Sequence, residues 1–159
     1  MHRFPERLKV LRVILENGLA IRQGRLYVRD IEIPTVKLAR VAGTDRRTVA
    51  ETVKMIGANP EFNQLFSMLE PAGPSLRKVA RQLGLGVVEI VAEAPNQPGI
   101  LAAASSVLSS AGINIRQALV DDPELTPEPK LVLIGGKRIP GELMPLLLKI
   151  PGVSRVSVE

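Results

Sequence analysis

Residues 95–115 read Pro95-Asn96-Gln97-Pro98-Gly99-Ile100-Leu101-Ala102-Ala103-Ala104-Ser105-Ser106-Val107-Leu108-Ser109-Ser110-Ala111-Gly112-Ile113-Asn114-Ile115. An alternating strand over 87–93 leads into this stretch, and Pro98-Gly99 makes a turn. An amphipathic helix follows, with Ile100, Ala104, Val107, Leu108 and Ala111 on one stripe, and it stops at Gly112 before a second strand. A helix entered through Pro-Gly presents the free N–H groups of its first turn and the positive end of its dipole. Together these form a receptor for a carboxylate. The stretch points to a small-ligand sensor rather than a catalyst.

Working outward, the order is strand 87–93, helix 99–111, strand 113–120, loop, strand 130–135, helix 140–149, strand 152–158. Right-handed crossovers fold βαββαβ into a ferredoxin-like, four-stranded antiparallel sheet with both helices on one face. The loop from Asp121 to Pro129 is acidic and proline-stiffened. Its carboxylate spacing matches no metal loop, and it reads as a solvated hairpin connection.

Three motifs carry a resemblance: Pro98-Gly99-Ile100-Leu101, Ala111-Gly112-Ile113-Asn114-Ile115, and Pro151-Gly152-Val153-Ser154-Arg155-Val156. Residues 87–159 resemble an ACT domain, a regulatory module attached to many enzymes and regulators of amino-acid metabolism. The resemblance implies a small amino acid bound at a subunit interface, with ligand contacts from Asn96, Gln97, Pro98, Gly99, Ile100, Leu101, Asn114 and Ile115. Many members carry an acidic residue two before the Pro, where this chain has Asn96. An amide oxygen meets the ligand's ammonium without charge assistance. A second reading stays open, in which Pro98-Gly99 serves only the turn and the module serves only as a dimer interface. Pairing two such sheets edge to edge covers an exposed strand, so a homodimer is expected.

The N-terminal half reads differently. Helical spacing over 5–17 puts Leu8, Leu11 and Leu15 on one stripe, widened by Val10 and Ile14. A hairpin over 19–28 turns at Gln23-Gly24, residues 30–33 stay extended, and Pro34 suits the first turn of the next helix. Val36, Leu38, Ala39 and Val41 are expected to bury that helix. Gly43 breaks it, and Thr44 or Asp45 caps the following one, whose Val49, Val53 and Ile56 face inward. Another helix over 61–69 buries Phe62, Leu65, Phe66 and Leu69. A last one runs from Ser75 to Leu83. On this reading residues 1–83 form a helical domain, 84–86 (Gly-Leu-Gly) a pliable joint, and 87–159 the second domain. The fold class is α+β.

Thr35 to Ile56 resembles a helix-turn-helix, with Ala39, Gly43 and Val49 where two helices approach and turn, and Thr44 where an apolar residue is common. The resemblance implies DNA contacts from Lys37, Arg40, Thr44, Arg46, Arg47, Thr48 and Lys54. Arginine suits both guanine edges and backbone phosphates. The alternative is a compact helical domain whose arginines serve solubility or bind the partner domain. The whole arrangement is similar to archaeal proteins predicted to regulate amino-acid metabolism.

Charge divides in the same place. The chain of 159 residues carries a net +5, with +7 in residues 1–86 and −2 in 87–159. A basic half joined to a mildly acidic half implies different partners for each. With no Cys there is neither disulfide nor thiolate metal site, and one His, at position 2, leaves little for histidine chemistry. No nucleophile–base pair, metal cluster or phosphate loop is visible; Glu89 and Glu93 merely alternate with apolar residues. No enzyme, no cofactor and no metal is therefore expected. No apolar run spans a membrane, and Met1 to Glu6 lacks the features of a signal peptide, so the expected compartment is the cytoplasm. The expected function is amino-acid-responsive transcriptional regulation, with a small amino acid as effector and double-stranded DNA as partner. The alternative is a regulatory subunit that pairs with a biosynthetic enzyme and does not bind DNA.

Overall fold

A computed structural model describes residues 4–159. His2 and the first three positions of the segment read for a leader lie outside the described residues. Two compact units divide between Gly73 and Pro74.

In the first unit the order is α1 (Phe4–Glu16), β1 (Ala20–Arg22), β2 (Arg25–Val28), β3 (Ile31–Ile33), α2 (Thr35–Ala42), α3 (Arg46–Ala58) and α4 (Pro60–Ser67). The segment at 31–33 does more than stay extended: it pairs with β2 and completes a three-stranded antiparallel sheet, β1-β2-β3. Helix α1 seats on Val10 and Ile14, both fully buried, while Leu8 is 52% exposed. The inward face is thus rotated toward the residues read as the stripe's flank. On α2, Leu38, Ala39 and Ala42 point inward and Val36 and Val41 outward, so two of the four residues expected to bury this helix do not. The inward set holds the i, i+4 spacing of a narrow stripe, which Val36 and Val41 break. On α4 only Phe66 is buried; Phe62 and Leu65 stand half-exposed, against the expectation.

Between α2 and α3 lie three residues. Gly43 caps α2 in the left-handed conformation, and Asp45 caps α3, accepting a hydrogen bond from Thr48 N at 2.8 Å. Asn59 caps α4 through its side-chain oxygen, with Pro60 opening the helix.

The second unit follows the expected βαββαβ order: β4 (Gly86–Ala92), α5 (Ile100–Ser110), β5 (Ile115–Val120), β6 (Lys130–Gly135), α6 (Met144–Leu148) and β7 (Val153–Val158). Its sheet runs β5-β6-β4-β7, antiparallel throughout. The helix expected over 140–149 is a 3-10 turn, Gly141–Leu143, leading into a short α6; Pro145 lacks an N–H and fits only a first turn. One face of the sheet, with Val88, Ile90, Leu131 and Leu133, packs against Ile100, Ala104 and Leu108 of α5 and Leu147 of α6.

Residues 74–85 differ most from expectation. In place of a helix over 75–83 there is one 3-10 turn, Arg77–Val79. Ala80 and Leu85 are buried with Val87, Val132 and Ile134 on the other face of the sheet. Residues 84–86 are accordingly no free joint, since Leu85 is buried and Gly86 begins β4. A Cβ at Gly86 would stand 2.6 Å from the backbone of Ile139. This strap belongs with the second unit because an apolar sheet face must be covered.

Candidate functional site

Gly99 is the N-cap of α5, with φ 99°, a conformation that L side chains avoid. That backbone turn lets the chain enter the helix directly from the loop. Ala103 N is the first to bond back, to Gly99 O at 2.9 Å. The N–H groups of Ile100, Leu101 and Ala102 therefore have no acceptor within the helix. At this turn Gln97, Gly99, Ile100 and Leu101 line the helix side of a cavity of about 160 Å³. Ile90, Val120 and Leu131 line its sheet side, with Asp121 and Lys130 beside them.

Of the ligand residues expected from sequence, Gln97, Gly99, Ile100 and Leu101 are brought together at this cavity. The Ile100 side chain is also part of the core. Gln97 rests its side-chain amide against Gly152, where any Cβ would collide with it. Asn96 and Pro98 are exposed on the loop and do not line the cavity. Asn114 and Ile115 do not line it either. Asn114 O accepts from Gly136 N at 2.7 Å, and Ile115 packs on the core.

Asp121 is the residue that sequence reading missed. The sequence alone places it in a solvated loop, yet it closes the end of β5, where its backbone and side chain both bond Lys130. The register Val120↔Leu131 carries it to the cavity. Only strand pairing locates it, and no local motif marks it. It lines the cavity, and its carboxylate accepts from Lys130 N at 3.2 Å.

In the first unit, Lys37 and Arg40 on α2 and Arg46, Arg47 and Lys54 on α3 are exposed. Arg47 pairs with Glu51 at 3.0 Å, and Glu51 also takes Arg7 at 3.3 Å. Thr48 is not available for outward contacts: it is 6% exposed and its hydroxyl donates to Asp45 at 3.0 Å. Thr44 closes the turn through its backbone, its N–H donating to Ala39 O at 3.0 Å. Lys9's hydrogen bond chiefly holds the Glu6 carboxyl below its ordinary range, and a bond from Thr44 adds to this.

Residues 88–152 match the family model for the ACT domain. The second unit contains an ACT domain. Its βαββαβ order and sheet are those on which the sequence motifs had been placed. No curated protein matches the chain. Among solved structures it is similar to PH0061, at 14% identity and a TM-score of 0.26, over 96% of this chain and 88% of that one. It is also similar to the transcriptional regulator NMB0573 of Neisseria meningitidis, crystallised with L-Met, at 12% identity and a TM-score of 0.27, over 97% and 86%. A third is PF0864 of Pyrococcus furiosus, a transcriptional regulatory protein of the ASNC family, at 14% and 0.26, over 96% and 85%. Among the described residues no acidic, His or Cys cluster could hold a metal ion, and no helix is long and apolar enough to cross a membrane.

Proposed function

We propose that this protein is an amino-acid-responsive transcriptional regulator, sensing through its ACT domain and binding DNA through α2 and α3. The observation that carries the reading is the unsatisfied first turn of α5, which opens on an apolar cavity with Asp121 beside it. A free amino acid has the complementary chemistry. Its carboxylate takes the N–H groups of Ile100 to Ala102, its ammonium faces Asp121, and an apolar side chain lies against Ile90, Val120 and Leu131. The exposed cations of α2 and α3 would meet duplex phosphates and base edges. A homodimer paired through the ACT sheet would then set two such units apart by a distance that the ligand biases.

A thermal-shift screen against the twenty amino acids tests the sensing half. A ligand at a hundred times its dissociation constant adds about 2.7 kcal/mol of stability. Apolar amino acids should give the shift and Asp121→Asn should abolish it; a flat response across the set overturns the sensing role. Duplex binding at low salt tests the other half, and it should fall steeply as salt rises. Replacing Arg46 and Arg47 together by Ala should weaken it about tenfold or more.

One observation favours a different role for the first unit. Val36 and Val41 on α2 and Phe62 and Leu65 on α4 are exposed apolar groups. A regulatory subunit would dock on an enzyme through such groups, and co-purification with an enzyme, without retention on DNA, would identify it.

A further inference from the structure

A second cavity, of about 920 Å³, lies at the opposite end of β4 and on the opposite face of the sheet from the α5 cavity. Its floor is Ala80, Leu85 and Val87, all buried. Four cations line it: Arg77, Lys78 and Arg81 from the strap and Arg138 from the loop after β6. Arg77 is engaged with Glu89 on the sheet. Lys78, Arg81 and Arg138 have no ion pair among the described residues, and Glu159 is the one carboxylate-bearing residue on the wall. The backbone of Glu159 is tied to Val87, with N–H···O bonds of 3.0 and 2.9 Å.

These cations are not a loose surface scatter. Leu85 anchors the strap in the apolar cluster on this face. Gly86 lets the 137–139 backbone pack directly on β4, since a Cβ there would meet Lys137 O at 2.8 Å. Two independently anchored segments thus converge like charges on one concavity. Gathering them costs electrostatic free energy that an anion would relieve. The volume falls in the range of small-molecule sites, and guanidinium groups match phosphate in geometry as well as charge.

We propose that this cavity is a second ligand site, distinct from the amino-acid cavity, that takes a small molecule bearing two or more phosphates. The phosphates bind Arg81, Arg138 and Lys78, and the rest of the molecule lies over the floor. The site needs neither DNA binding nor amino-acid sensing, so it stands if either of those readings fails.

Calorimetric titration of the full chain at low salt tests it, using inorganic tripolyphosphate, ATP and a short DNA duplex as separate probes. Tripolyphosphate and ATP are expected to bind. In the double variant Arg81→Gln, Arg138→Gln both should lose affinity by about ten- to a hundredfold, as expected for charge-assisted hydrogen bonds. Both side chains are exposed, so the fold should survive, and unchanged thermal unfolding of the unliganded variant checks this. Arg46→Ala should leave both affinities alone. Absence of phosphate binding, or binding indifferent to Arg81 and Arg138, overturns the proposal. So does a duplex that depends on these two residues while the small phosphates fail to bind.

Discussion

The two faces of the ACT sheet are covered by different kinds of chain. On one, α5 and α6 lay a continuous apolar stripe over Val88, Ile90, Leu131 and Leu133. On the other, residues 74–85 lie as an irregular strap whose apolar contacts are few and whose polar contacts are specific. Gln117 stands in for a backbone pair: its amide oxygen accepts from Leu76 N and its nitrogen donates to Pro74 O, each at 2.8 Å. Glu89, 12% exposed, takes Arg77 from the strap and Lys130 from β6. Burial raises the Glu89 carboxyl, but Lys130's hydrogen bond and Arg77's charge outweigh it and hold the group below its ordinary 4.5. A regular helix buries area by periodicity. An irregular segment has no such repeat and must be held by individual polar clasps.

Truncating one side chain on each face measures how deep this difference runs. Leu133→Ala should cost about 3–5 kcal/mol in denaturant unfolding, because the helix-covered face cannot collapse around the void. Leu85→Ala should cost about 2 kcal/mol, since a strap relaxes more readily than two packed helices. Equal costs would show the strap to be as rigid as the helical layer.

Glu89→Gln should cost about 1–3 kcal/mol by leaving the Arg77 and Lys130 cations poorly matched at a largely covered site. Its pH dependence has a definite sign. A carboxyl depressed in the folded state contributes fully above its ordinary value of 4.5, and that contribution is lost as pH falls through the folded-state value. Stability of the native chain should therefore drop in that window, and the Gln variant should show a shallower slope.

Gln117→Ala is the mildest test, at about 1–2 kcal/mol for two hydrogen bonds. Hydrogen exchange should quicken across 74–85 and leave the central amides of β4 and β6 unchanged. Uniform loosening of the whole sheet would instead mean that the strap and the sheet open as one unit.

Much of the fold was legible beforehand because its signals are local. Pro98-Gly99 and Gly112 bracket α5, alternation marks β4, and Asp45 sits where a cap belongs. What misled was also local. Ser75 reads as the cap of a helix to Leu83, and Gly84-Leu85-Gly86 as a joint, because composition cannot show that a sheet face waits to be covered. In the candidate ligand cavity, Gly99, Ile100 and Leu101 were found from a turn motif, whereas Asp121 arrived through strand register. On the DNA-binding expectation, exposure was read correctly for Arg46 and Arg47 and wrongly for Thr48, whose hydroxyl the Asp45 cap engages.

The sequence by itself determined the βαββαβ order, the turn at 98–99 that opens the first helix of the ACT domain, and the charge difference between the halves. Each is written in residues within a few positions of one another, where periodicity, capping and turn chemistry act. Only the tertiary structure decided what surrounds that turn, with Asp121 brought beside it, and what covers the far side of the sheet. Those contacts join groups such as Leu76 and Gln117, 41 residues apart. A hydrogen bond over that distance leaves no repeat in the sequence, and it forms only after the strands between have paired.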